Sequence, residues 1–178
     1  MILKVENLSK EYVKGCFFSK EKKEVLKNIS FEVKEGEIFS IIGQSGVGKS
    51  TIGKIILGIE KESFGKILFL GKKLVEREKR DIQMVFQDPY SSLNAAMKVK
   101  DILAEPLKAN EEKNRNEISK KVKDILEKVG LGEEFENKYP NELSGGQRQR
   151  IVIGCAMILK PKLVVCDEPV ASLDLGVQ

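Results

Sequence analysis

One stretch constrains this chain more than any other: residues 43–51, Gly-Gln-Ser-Gly-Val-Gly-Lys-Ser-Thr, lie between an apolar run and a helical repeat. Before the loop, Ile38-Phe39-Ser40-Ile41-Ile42 reads as a buried strand. After it, Ile52, Ile55, Ile56 and Ile59 recur from Ser50 onward at helical spacing, and Gly58 with Lys61-Glu62-Ser63 marks the stop. A strand running through such a loop into a helix predicts an α/β core. Ile29-Ser30-Phe31-Glu32-Val33 alternates as a half-buried strand does, and a turn at Lys34-Glu35-Gly36-Glu37 separates it from the apolar run.

The loop satisfies G-x-x-x-x-G-K-S with both flanks in place. Glycines let backbone N–H groups turn inward around phosphate oxygens, and the helix N-terminus adds partial positive charge there. The predicted cradle comprises Gly43, Ser45, Gly46, Val47, Gly48, Lys49, Ser50 and Thr51. Lys49 is placed to neutralise the β- and γ-phosphates of a nucleotide, and Ser50 to offer its hydroxyl to Mg²⁺.

Further strands are predicted at 66–70, 82–87 and 163–166. Between the last two, residues 98–129 are Lys/Glu-rich and helical, with Ile118, Val122, Ile125, Leu126 and Val129 on one face. This block interrupts the α/β pattern as an inserted subdomain does. A helix is expected from Ser144 to about residue 159, closed by Pro161. Alternating strands and helices imply a mostly parallel sheet covered on both faces.

Two more constellations carry chemistry. Asp167 and Glu168 follow a buried strand; an Asp there can hold Mg²⁺, and the adjacent Glu can act as general base on an attacking water. Ser144-Gly145-Gly146-Gln147 is a capping box, so its plain reading is a good helix start. The same geometry, two glycine N–H groups and a hydroxyl on a helix N-terminus, is also an anion site.

Composition removes other classes. The net charge is only +4 with both signs interspersed, which does not argue for nucleic acid. Cys16, Cys155 and Cys166 show no disulfide or zinc spacing and suit a reduced, cytosolic setting. The longest apolar stretch, 151–159, is far short of the roughly 20 residues a membrane span needs.

Together, the phosphate loop, Gln87, Leu143-Ser144-Gly145-Gly146-Gln147, Asp167-Glu168 and Ser172-Leu173-Asp174 resemble the ordered motifs of ABC-type ATPases over nearly the whole chain. The resemblance implies an ATP- and Mg²⁺-binding ATPase domain with an N-terminal antiparallel β subdomain. Residues 1–90 and 143–178 would form the nucleotide-binding core and 91–142 the helical subdomain. Gln87 would ligate Mg²⁺ and sense the γ-phosphate, Tyr12 would stack on adenine, and Asp174 would lie at a dimer interface. Two such domains pair head to tail, so Ser144, Gly145, Gly146 and Gln147 of one would close over ATP held by the other. Catalysis would rest on Glu168, Lys49 and Gln87, and metal binding on Ser50, Gln87 and Asp167.

Phe86-Gln87-Asp88-Pro89-Tyr90-Ser91-Ser92-Leu93-Asn94 is similar to the ATPases of di- and oligopeptide importers, a group that includes nickel importers. The implied partners are a second ATPase subunit, identical or related, and transmembrane permease subunits, with an extracytoplasmic substrate-binding protein engaged indirectly. The implied place is the cytoplasmic face of the membrane. Departures are Ala95-Ala96 for Pro-Arg, Cys155 for Arg and Ala171-Ser172 for Ser-Ala. The chain has no histidine, whereas the family uses one beyond the acidic pair at the γ-phosphate. The expectation is therefore a C-terminally truncated domain that binds nucleotide and hydrolyses it poorly. The alternatives are a soluble ABC ATPase of translation or DNA repair, and a catalytically silent binding fragment.

Overall fold

The computed structural model describes residues 1–14, 21–76, 79–86, 92–110 and 112–167. The chain is α/β and divides into two compact units, Met1–Glu78 and Lys79–Gln178.

In the first unit, β1 (Leu3–Lys14), β2 (Glu21–Val33), β3 (Phe64–Phe69) and β4 (Lys72–Lys73) form an antiparallel sheet in the order β2-β1-β3-β4. Strand alternation sets the faces. Leu3 and Val5 are buried, while Lys4 and Glu6 point the other way and pair with each other, with Glu32 and with Lys66. A strict period of two would turn Leu8 outward. The register shifts between Val5 and Leu8, with Asn7 at φ 51°, and this bulge returns Leu8 to full burial. The helix after the phosphate loop, α1, is Lys49–Ile56, and it buries Ile52, Ile55 and Ile56. It ends where Gly58 takes a positive φ, so Ile59 falls outside the helix and is 60% exposed, contrary to its helical spacing.

In the second unit, β5 (Ile82–Val85) and β6 (Leu163–Cys166) pair in parallel, Ile82 opposite Leu163 and Val85 opposite Cys166. The Lys/Glu-rich block forms two helices, α2 (Val99–Ala109) and α3 (Arg115–Lys128). Asn114 starts the second by accepting from the N–H groups of Asn116 and Glu117. With α4 (Gly145–Met157) they enclose a core centred on Leu103, Leu126 and Ile151. The face read from Ile118, Val122, Ile125 and Leu126 is the buried one, and Val129 packs against it. Cys155 of α4 lies near the Ile102 carbonyl; burial, reinforced by the Glu105 carboxylate, pushes its thiol pKa up to about 12.

One expectation fails. Residues 38–42 are not a buried strand: they carry no strand structure, Ile38 is 96% exposed and Ile42 93%. An apolar run becomes a strand only when a neighbouring backbone pairs with it, and no described strand pairs with this one. Instead the turn at 34–37, closed by Glu37 N–H to the Lys34 carbonyl, folds the chain back so that Phe39 stacks on Phe31 at 5.0 Å.

Candidate functional site

The phosphate loop is formed by local backbone geometry. A turn closed by Val47 N–H to the Gln44 carbonyl holds Gly46 at φ 80° and leads into Gly48 at φ 103°. Both values lie where L side chains are disfavoured. Gly48 is the N-cap of α1 and, as a glycine, makes no side-chain cap hydrogen bond to the first turn. A Cβ on Gly48 would lie 2.7 Å from Leu26 Cδ2 and 3.0 Å from the Val25 carbonyl oxygen, so the loop is seated directly on β2. The Lys49 ammonium turns back into the loop and donates to the carbonyls of Gly43 (2.8 Å) and Gln44 (2.9 Å). Ser50 is exposed at the first turn of α1.

Tyr12 of β1 belongs to the same unit. Its hydroxyl donates to the Glu60 carboxylate, and it also meets the Thr51 hydroxyl at the start of α1. The Glu60 contact, then burial, raises the Tyr12 pKa above the usual phenol value. Lys10 places its ammonium 4.9 Å from the centre of the Tyr12 ring.

In the second unit, Ser144 is the N-cap of α4. Its Oγ accepts from Gln147 N–H at 3.3 Å, and its own N–H donates to Gln147 Oε1 at 2.9 Å. The capping box read from sequence is therefore formed, with Gly145 and Gly146 in the first turn. Leu143 beside it is buried. Replacing Ser144 with Ala is expected to lower unfolding free energy by about 1 kcal/mol, read from the urea midpoint at constant slope.

Asp167 follows β6 and extends the parallel ladder, its N–H donating to the Val85 carbonyl at 3.0 Å. The ends of β5 and β6 thus leave the sheet at the same edge. Gln87, Glu168, Ser172 and Asp174 lie outside the described residues. The structure brings Tyr12 to the phosphate-loop helix within one unit and holds the signature turn and Asp167 in the other. Sequence reading missed Lys10 and Glu60 around Tyr12, because the Tyr12–Glu60 contact spans 48 positions and carries no local pattern. It also missed Arg150, whose guanidinium donates to the carbonyls of Val129 and Gly130 at the end of α3.

Comparison with known proteins agrees with these motifs. Residues 26–171 match the family described as ABC transporter. The chain is 43% identical over 174 residues to an oligopeptide transport ATP-binding protein, OppF, of Haemophilus influenzae, covering 93% of this chain and 52% of that protein. It is 40% identical over 172 residues to a dipeptide transport ATP-binding protein, DppF, of the same organism, covering 93% and 53%. It spans about half the length of these curated relatives. Among solved structures it superposes on the ATP-binding cassette MJ0796, a dimer in a post-hydrolysis state bound to ADP and Pi, with a TM-score of 0.85, 32% identity and coverage of 99% of this chain and 78% of that one. On cbiO1 of Clostridium perfringens, part of the transporter complex cbiONQ, the TM-score is 0.81 at 34% identity, covering 99% and 69%. With the family match covering most of its residues, the loop at 43–51, the capped turn at 144–147 and Asp167 in their expected order, the chain belongs to the ABC transporter ATP-binding family.

Proposed function

We propose that this chain belongs to the nucleotide-driven motor of an importer, which binds ATP and hydrolyses it to power uptake of peptides or a metal ion through separate membrane subunits. The observation that carries the reading is Lys49 folded into a loop of turned glycines at the start of α1. A phosphate chain entering that loop receives amide donors and the Lys49 ammonium in place of the two carbonyls it now touches. Ser50 and Asp167 are hard oxygen donors of the kind Mg²⁺ prefers, and they would hold it together with Gln87. When bound, Mg²⁺ supplies charge neutralisation at the β- and γ-phosphates. Glu168 would take the proton of the attacking water, and Gln87 would sense the γ-phosphate.

The second half of the site is the capped turn at Ser144 from another subunit, identical or related, whose hydroxyl and glycine N–H groups face the γ-phosphate. The names of the relatives support a peptide importer. Residues 91–142 are proposed as the helical subdomain and the segment after Gln87 as the contact with the permease. Among the described residues no helix is long and apolar enough to cross a membrane, which fits a peripheral subunit working on the cytoplasmic face.

The test uses Glu168→Gln, which retains ATP by removing the general base. With saturating ATP and Mg²⁺, light scattering after size exclusion is expected to show this variant as a dimer, and without nucleotide as a monomer. A species that stays monomeric with ATP bound overturns the paired-site reading.

A further inference from the structure

Around Tyr12 the structure builds more than a lone aromatic. Glu60, in the loop that follows α1, has its carboxylate against the Tyr12 hydroxyl, 3.7 Å from Lys10 Nζ and 4.0 Å from Lys54 Nζ. Lys10 is held in turn by the Lys61 carbonyl at 2.6 Å, and its ammonium covers one face of the Tyr12 ring. The backbone fixes this arrangement from both sides. Ile59 and Glu60 donate their N–H groups to the Lys54 carbonyl, and Ser63 N–H donates to the Ser9 carbonyl. Glu11 N–H donates to Ser63 Oγ at 2.9 Å. The loop after α1 is thus sewn to the outer half of β1, and Glu60 is the hub that joins the ring to the phosphate-loop helix.

A ring free to rotate about two torsions loses that freedom each time a base stacks on it. Here the hydroxyl is anchored and one face is occupied before any ligand arrives. We infer that Glu60 and Lys10 are positioning residues for the base of the nucleotide: Glu60 holds the Tyr12 hydroxyl, Lys10 caps one ring face, and a purine stacks on the opposite face. The inference rests on the reading that Tyr12 stacks on the base. It adds two residues to that reading and a direction of approach. It also ties base recognition to α1, since Lys54 and Thr51, which meet Glu60 and Tyr12, both lie on that helix.

The consequence is selective for the base. ATP and inorganic tripolyphosphate share the phosphate loop, but only ATP reaches Tyr12. Calorimetric titration of the whole chain with each ligand separates the two contributions. Glu60→Ala is expected to weaken ATP about three- to tenfold, the worth of one anchoring hydrogen bond, and to leave tripolyphosphate unchanged. Glu60→Gln keeps an acceptor and is expected to stay within about twofold of the parent. Lys10→Met keeps the stem without the charge and is expected to weaken ATP about two- to fivefold. Tyr12→Phe is expected to match Glu60→Ala, and the double variant to be no worse than either, because both remove the same contact.

A structural role for Glu60 would appear as equal losses for both ligands, or as full additivity with Tyr12→Phe; either result overturns the inference. Tripolyphosphate binding also reports that each variant is folded. The underlying reading has its own control. Tyr12→Ala is expected to weaken ATP at least about tenfold, the loss of base stacking. An unchanged ATP affinity in that variant removes base stacking itself, a result distinct from failure of the Glu60 anchor alone.

Discussion

Lys49→Ala is expected to bind ATP at least about 100-fold more weakly than the parent while unfolding at nearly the same urea concentration. The two halves of that expectation have separate causes. In the structure, the Lys49 ammonium bonds only to exposed backbone carbonyls, Gly43 and Gln44, among the contacts described. Exposed contacts of this kind contribute little to folding, so a change within about 0.5 kcal/mol is expected. Against a triphosphate the same ammonium makes charge-assisted hydrogen bonds worth about 1.5–3 kcal/mol each, and two of them give the 100-fold loss. Calorimetric titration with ATP, paired with urea unfolding, checks both. An affinity within about threefold of the parent would mean that the loop amides alone hold the phosphates.

The second large effect is on the glycine beside it. Gly48→Ala adds one methyl group and is expected to destabilise the fold by about 2–4 kcal/mol, through backbone strain and overpacking together. The φ of 103° is strained for alanine whatever the surrounding space. In addition the new Cβ meets Leu26 Cδ2 at 2.7 Å and the Val25 carbonyl oxygen at 3.0 Å. A side-chain methyl can rotate aside, but the carbonyl is main chain of β2, at the register shift between Glu24 and Leu26, and moves only with the strand. The loop must lift instead, which moves Lys49 and Ser50 with it. Nucleotide affinity and stability therefore fall together in this variant, whereas in Lys49→Ala they separate. Gly46, whose added Cβ would meet nothing within 4 Å, is the control for φ strain alone.

Features governed by short stretches of chain were legible from residue order. The Ser144 capping box, the start of α1 after the glycine loop, the apolar face of α3 and the short strand before Asp167 each depend on neighbours a few positions away. Residues 38–42 show the limit. Their composition is that of a buried strand, yet pairing is decided by backbone elsewhere in the fold, and the described strands leave them unpaired with Ile38 and Ile42 in solvent. The bulge at Asn7 was equally invisible, since it depends on how β1 must satisfy two neighbours in different registers. The surroundings of Tyr12 were missed for the same reason. Its partner is an ordinary surface-type glutamate until the loop after α1 docks on β1. Gln87 and Glu168, both read from motif order, lie outside the described residues, whereas Asp167 occupies the strand end predicted for it.

Arg150 adds a polar tie between two helices of the second unit. From the second turn of α4 its guanidinium holds the carbonyls just past the end of α3, at 3.2 Å to Val129 and 3.1 Å to Gly130. A Cβ on Gly130, at a φ of 69°, would lie 2.7 Å from that guanidinium and push it aside. Beside their shared core, the two helices are thus joined about 9 Å along the axis from the Ser144 cap at 1.5 Å per residue. A side chain introduced at Gly130 would therefore be felt on α4, through Arg150, six residues past the Ser144 cap.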